Sequence, residues 1–285
     1  MREVPGSNPG FPHFFGLFFW GTTITPPLQL HHTVTTHNVL HVMLRSTSSA
    51  IRCVIFDLGG VVFSSPIGRL RVLECQKGIP LNALNKYIAH ATSWKELEKG
   101  TISPAEFISS YYDDELKEKA AAIDSSIDPS LLRVSGRDIM DSILSPDAWT
   151  PRAPYVEATK TLRSSGFKVV GLTNNFKSDP ASPVTAFDIA APTIHDMFDL
   201  VVESSKVNLR KPSLEIYRYT CSKAGVEPSH CAFLDDIGPN LKPARELGMR
   251  TIRVNVEDTH GVQALLALED IVGVSPLFAT DRPKS

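Results

Sequence analysis

The sequence predicts an α/β fold, a doubly wound parallel sheet with a helical segment inserted after its first strand. Three observations carry this. Residues 51–62 read Ile-Arg-Cys-Val-Ile-Phe-Asp-Leu-Gly-Gly-Val-Val, an apolar run that delivers one carboxylate, Asp57, to its end. A strand buried on both faces reads as such a run, and its carboxyl end is where open α/β sheets place their chemistry. From about residue 150, strand-like and helix-like segments alternate, which argues for parallel strands joined by crossover helices. Between these regions, residues 66–149 hold no strand-like run.

Strand one runs to Phe56. In the insertion, Leu70, Leu73, Ile79, Leu84, Tyr87 and Ile88 mark two helices. Ser93 to Leu97 and Ser103 to Tyr112 follow, each opened by a serine in a capping position. Ser103-Pro104-Ala105-Glu106 also carries a capping-box spacing with proline at the first helical position. Leu131 to Leu144 reads as one more helix. Tyr155 to Ser164 is a helix ended by Gly166, and Lys168 to Leu172 a strand ending in Thr173-Asn174-Asn175. Residues 177–193, rich in proline, read as a loop longer than a compact α/β unit needs. Leu200 to Val202 is a short strand and Leu214 to Ala224 a helix. Cys231 to Leu234 is a strand ending in Asp235-Asp236, and Pro239 to Leu247 a helix ended by Gly248. Thr251 to Val254 is the last clear strand, with a helix or two after residue 258. The sheet core is thus expected over residues 49–65 and 150–275, the helical insertion over 66–149 and a polar tail over 276–285.

A chain of 285 residues holds one large domain or a domain with an insertion. The formal net charge of -2 provides neither a nucleic-acid surface nor a polybasic membrane anchor. Cys53, Cys75, Cys221 and Cys231 are scattered, with no C-x-x-C pair, and are expected as free thiols in a reducing, cytoplasmic compartment. Residues 1–48 differ from the rest, with Glu3 their only acid. Phe14 to Trp20 is too short to span a bilayer and lacks the flanks of a signal peptide. Pro26, Pro27 and the Thr/His-rich run after them break any periodicity. The segment reads as a disordered leader or an upstream extension, with Met43 as an alternative start. Its scarcity of acids leaves organelle targeting open, against an equal scarcity of arginine. His31, His32, His37 and His41 share the segment but have no cysteine or carboxylate to complete a metal site.

Four later features share a position, each at a strand end or the start of the next helix. Asp57 precedes Gly59 and Gly60, where the chain turns sharply with its backbone exposed; a carboxylate there can attack phosphorus, bind a metal or merely cap the turn. Thr173 and Asn174 offer a hydroxyl, an amide and backbone N–H groups suited to phosphate oxygens, although Asn-Asn is also good turn chemistry. Lys211, in Leu-Arg-Lys-Pro, stands before a helix whose first position is expected at Pro212, where it can neutralise a phosphate or hold a nucleophile ionised. Asp235 and Asp236 are adjacent carboxylates that repel and so need a cation or donors; Mg²⁺, which takes few protein carboxylates, fits them.

In that order these residues resemble the four motifs of the haloacid dehalogenase superfamily, mostly Mg²⁺-dependent phosphatases, over about residues 51–270. Lys211 to Tyr217 and Phe233 to Met249 are similar to the N-terminal phosphatase domain of soluble epoxide hydrolase and to the matching domain of acyl-CoA dehydrogenase-like multidomain proteins. The resemblance implies a Rossmann-like core and makes residues 66–149 a cap. It makes Asp57 the nucleophile that forms an aspartyl-phosphate, and Thr173, Asn174 and Lys211 the phosphoryl-binding groups. It assigns Mg²⁺ to Asp57, the Gly59 carbonyl, Asp235 and Asp236, with Asp236 the direct carboxylate and Asp235 assisting.

The chain departs from that pattern at Gly59, where most such phosphatases carry a second Asp that protonates the leaving oxygen and activates water. The missing group is worth roughly 10²–10⁴ in rate. His90, Glu96 and Asp113 are unranked substitutes for it. The expectation is a Mg²⁺-dependent phosphatase acting on a small phosphorylated metabolite. The alternative is a phosphate- or partner-binding module that kept the fold and lost turnover. Dehalogenases also lack this Asp but do not need the metal-binding pair Asp235 and Asp236, which argues against that chemistry. Oligomeric state and substrate identity are left open.

Overall fold

A computed structural model describes residues 50–177, 193–258 and 262–279. The expected leader, with Met43 and the four histidines, lies outside the described residues, as do most of the 177–193 loop and the end of the expected tail.

Five parallel strands form one sheet: β1 Cys53–Phe56, β2 Lys168–Thr173, β3 Leu200–Glu203, β4 Cys231–Asp235 and β5 Arg250–Arg253. Their order is β3-β2-β1-β4-β5. The chain winds outward from β1 to β3, then returns to begin again at β4 on the other side. That reversal opens a crevice beyond the carboxyl end of β1. Phe56 stands opposite both Gly171 and Leu234, so Asp57 and the ends of β2 and β4 emerge together at one edge.

The longer helices are α1 Pro66–Lys77, α2 Ala83–His90, α3 Thr92–Lys99, α4 Tyr112–Ile123, α5 Gly136–Ile143, α6 Ala153–Ser164, α7 Leu214–Ala224, α8 Gly238–Glu246 and α9 Val262–Val272. Both faces of β1 are covered, which is why its residues are apolar without alternation. Val54 and Phe56 pack with Tyr155 and Leu162 of α6 and Leu265 and Leu268 of α9. Cys53 and Ile55 face Ile216, Tyr217 and Cys221 of α7 and Ala244 of α8. The thiols are free; Cys75 is exposed, and the other three are buried. No described helix is long and apolar enough to cross a membrane.

Residues 66–149 build a separate apolar cluster around Leu84, Tyr87, Leu97, Phe107, Tyr112 and Ile139. Its helix ends are held by side chains, and three differ from expectation. Ser93 does not cap α3; the N–H groups of Thr92 and Ser93 donate instead to Glu115 of α4, at 2.5 and 3.1 Å. The capping box at Ser103 and Glu106 forms as expected, but the chain continues through a π-helical turn, Phe107–Tyr111, before α4. Residues 131–144 are not one helix: a short turn, Pro129–Leu131, leads through buried Leu132 and Val134 to α5, which Ser135 caps in a second capping box with Asp138. The helix after Lys211 begins at Leu214 rather than at Pro212, with Ser213 in the N-cap position.

The core extends beyond residue 275. Leu277 and Phe278, at the start of the expected polar tail, are buried in the main cluster. The Leu277 N–H donates to Glu269 of α9 at 2.8 Å, and the Ala279 N–H to Glu157 of α6 at 2.9 Å.

Glu74 of α1 is a fully buried carboxylate that serves the helical insertion. It accepts the N–H groups of Asn82 and Leu84 at 2.6 and 2.7 Å, fixing the start of α2. Replacing Glu74 by Ala strands one buried donor and one half-buried donor and is expected to cost about 2 kcal/mol. Denaturant unfolding of the full chain should show a lower midpoint with an unchanged slope, and Glu74→Gln, which keeps one acceptor oxygen, should lose less.

Candidate active site

Asp57 follows β1 directly, and its N–H donates to the Leu234 carbonyl at 2.9 Å. The pairing with β4 therefore continues to the site and holds the carboxylate in place. Lys211 Nζ lies 2.8 Å from Asp57 Oδ1 and 2.8 Å from Asp235 Oδ2, and donates to the Leu172 carbonyl at 3.2 Å. An ammonium has three donors, and these three acceptors use them all. Lys211 is 1% exposed. Burial alone would favour the neutral amine, but Asp235 and Asp57 outweigh it and push its pKa above the usual lysine range. The lysine is therefore a fixed cation. Asp57 is displaced in the direction of a neutral carboxyl: burial raises its pKa, Asp235 and Asp236 add to the rise, and Lys211 opposes it.

The two adjacent aspartates differ. Asp235 Oδ1 accepts from the Ile237 N–H at 2.8 Å and from Asn240 Nδ2 at 3.1 Å; Oδ2 accepts from Asn240 Nδ2 at 3.1 Å and from Lys211. Asp236 has a buried oxygen, Oδ1, with no hydrogen-bond partner among the described residues. Burial and the charge of Asp235 raise its pKa to about 6, opposed by Lys211 and Arg152. Asp57, Asp235 and Asp236 bring one carboxylate oxygen each to within 4.8 Å of one another. Three hard oxygen donors and an unpartnered buried oxygen fit a divalent cation such as Mg²⁺.

The glycine turn is shaped against these groups. Gly60 has φ +85°, and a Cβ there would lie 2.4 Å from Asp236 Oδ2. Arg152, where the chain leaves the insertion, donates from Nη1 to the carbonyls of Gly60 and Val61, both at 3.2 Å. At Gly59, a Cβ would lie 3.0 Å from Cδ and 3.2 Å from Cγ of Pro66, the first residue of α1. A side chain at this position would need Pro66 to give by a few tenths of an ångström.

Thr173 ends β2 and is 2% exposed, with its hydroxyl only 3.4 Å from the Asn174 carbonyl. The Asn174 side chain, expected on phosphate, makes its hydrogen bonds within the protein. Its Nδ2 donates to the Lys211 carbonyl at 3.1 Å and its Oδ1 accepts the Lys211 N–H at 2.9 Å, so the amide holds the lysine's backbone. None of the three unranked substitutes is a partner of the four charged residues. Asp113 accepts the Gly136 N–H at 2.7 Å, His90 Nδ1 lies 2.8 Å from the Lys86 carbonyl, and Glu96 is exposed. Asn240 and Arg152 were not foreseen. Asn240 carried a signal in its place five residues after Asp235, one helical turn into the following segment; Arg152 carried none.

Among proteins of known family, the haloacid dehalogenase-like hydrolase pattern matches residues 51–248. The chain belongs to that family. It is 30% identical over 259 residues to mouse acyl-CoA dehydrogenase family member 10, covering 89% of this chain and 22% of that protein. It is 31% identical over 232 residues to rat bifunctional epoxide hydrolase 2, covering 79% of this chain and 39% of that protein. It therefore spans less than half the length of either relative. A third, the sesquiterpene phosphatase astK of Aspergillus oryzae, is 24% identical over 79% of this chain and 98% of its own length.

Two measurements test this geometry. Gly60→Ala forces a β-carbon onto the Asp236 carboxylate in a left-handed backbone conformation. Calorimetric titration of the folded variant with Mg²⁺ should show affinity reduced at least about tenfold, since a ligand is displaced. The raised pKa of Asp236 means that the folded state without metal binds a proton that the unfolded chain releases near pH 4. Stability in chelator should therefore be highest below about pH 4 with respect to this group and fall as pH rises through about 6. The difference between wild type and Asp236→Asn should grow with pH over that window, and a difference that stays flat would contradict the assignment.

Proposed function

We propose that the chain is a Mg²⁺-dependent phosphomonoesterase that transfers a phosphoryl group from a small metabolite to Asp57. The observation that carries the reading is the buried Lys211 ammonium, shared at 2.8 Å between Asp57 and Asp235 beside the unpartnered Asp236 oxygen. Phosphoryl transfer needs positioning and neutralisation of charge more than elaborate covalent chemistry. A fixed cation against a buried carboxylate supports both.

On this reading Asp57 Oδ attacks phosphorus, the bond from phosphorus to the ester oxygen breaks, and water later cleaves the acyl phosphate to release inorganic phosphate. Lys211 offsets the negative charge that gathers between Asp57 and the phosphoryl group. The Thr173 hydroxyl and the backbone after it receive phosphoryl oxygens, while the Asn174 side chain steadies Lys211. Asp57, Asp236 and the Gly59 carbonyl would hold Mg²⁺ directly, with Asp235 oriented by Asn240 behind them. When bound, the ion would neutralise the carboxylates and polarise the phosphoryl oxygens. Residues 66–149 would be the cap that walls the crevice and selects the metabolite.

The lack of a side chain at Gly59, with Pro66 against it, supports a substrate whose leaving oxygen departs without a proton, such as an acyl or anomeric phosphate. The same feature favours the second reading, a phosphate-binding module without turnover. Phosphate release from acetyl phosphate, glucose 1-phosphate and a simple alkyl phosphate, with and without Mg²⁺, separates them. The expected result is Mg²⁺-dependent release from the first two, at least about tenfold slower release from the third, and loss of all release in Asp57→Asn. A folded, Mg²⁺-binding wild type that releases nothing from any of them would establish the binding module.

A further inference from the structure

The helical insertion grips the sheet edge through polar groups at the C-terminal end of α3. Glu98 is 7% exposed, and its Oε2 accepts Nε and Nη2 of Arg210 at 2.6 and 2.5 Å. The Ser204 hydroxyl donates to the Glu98 carbonyl at 2.5 Å and accepts the Asn175 N–H at 2.9 Å. Lys177 Nζ donates to the Gly100 carbonyl at 2.8 Å. Gly100 itself has φ +70° and lies so close that a Cβ would meet the Ser205 carbonyl oxygen at 2.6 Å. These contacts fall on two segments, one following Thr173 and one that opens with the short helix Ser204–Val207 and leads to Lys211.

Arg210 is joined to Lys211 by a peptide bond. Lys211 is thus held from both sides, by the Asn174 amide on its backbone and by the Arg210 anchor before it. Its side chain must still reach two carboxylates at 2.8 Å. Burial pushes the Glu98 carboxyl up and Arg210 opposes this. Breaking a pair so buried leaves a charge uncompensated, so the two move as a unit. A misplacement of about 1 Å in a catalytic group can cost on the order of 10²-fold in rate.

We propose that Glu98 is a positioning residue: carried by the insertion, it sets through Arg210 where the Lys211 ammonium stands, so the site is competent only while α3 is docked on the sheet edge. The proposal rests on the phosphatase reading of the site. It assigns the insertion a part in assembling the charged centre as well as in selecting substrate.

The test uses the full chain with Glu98→Gln, Arg210→Met and the double variant, read in two ways. In hydrogen exchange, amides of residues 204–211 and of α3 should exchange at least about tenfold faster in Glu98→Gln, while those of β1 and β4 keep their protection. In Mg²⁺-dependent phosphate release, kcat should fall at least about tenfold with KM changed by less than about threefold, and the double variant should be no worse than the poorer single. Unchanged exchange at 204–211 in Glu98→Gln overturns the proposal. So does a double variant whose loss is the product of the two single losses. If wild type releases no phosphate but Glu98→Gln still loosens 204–211, the positioning role is supported and the phosphatase reading fails.

Discussion

One buried ammonium organises this site. Lys211 supplies a full positive charge where two carboxylates and a strand-end carbonyl converge, and all three of its donors are used. Without it, Asp57 and Asp235 would be two buried acids facing a third, an arrangement that one or more protons would have to relieve. With it, the repulsion is partly offset and concentrated on Asp236, whose Oδ1 has no hydrogen-bond partner among the described residues. The lysine is a long, flexible side chain, so its precision comes from its surroundings: the Asn174 amide fixes its backbone, and Phe233 packs beneath its ammonium at 5.7 Å from the ring centre.

The glycine turn after Asp57 serves two purposes. Gly60 lets the backbone press against Asp236, which sets how closely the two loops approach. Gly59 brings no side chain to the turn after Asp57, and a Cβ there would press on Pro66 at 3.0 Å. A site arranged in this way holds charge well and supplies protons poorly.

The insertion is more than a shield. It has its own apolar core, yet its polar contacts with the sheet edge gather on the segments that follow Thr173 and lead to Lys211. Packing within the insertion and charge at the site are thereby coupled through few residues. Buried polar contacts of this kind add little net stability but make one arrangement costly to leave.

Much of this was legible in the sequence. Continuous apolar runs ending in Asp57, Thr173 and Asp235 identify central parallel strands, since only strands covered on both faces lack alternation. The order of those strand ends also named the charged residues, because chemistry in such sheets gathers at carboxyl edges. Local helix signals worked where the cap lay within the same turn, as at Ser103, and failed where it came from afar: Glu115 takes over from Ser93, and buried Leu132 and Val134 interrupt a helical pattern. The run 276–279 opens the segment expected as a polar tail, yet two of its residues complete the core. What the sequence determined by itself is the sheet and the identity of the groups at its edge, because both follow from short-range pattern. Which oxygen of which aspartate stays unpartnered, that the Asn174 amide holds the Lys211 backbone, and that Glu98 reaches Arg210 were decided only in the tertiary structure. Those outcomes depend on distances between residues far apart in the chain, and spacing along a sequence does not record them.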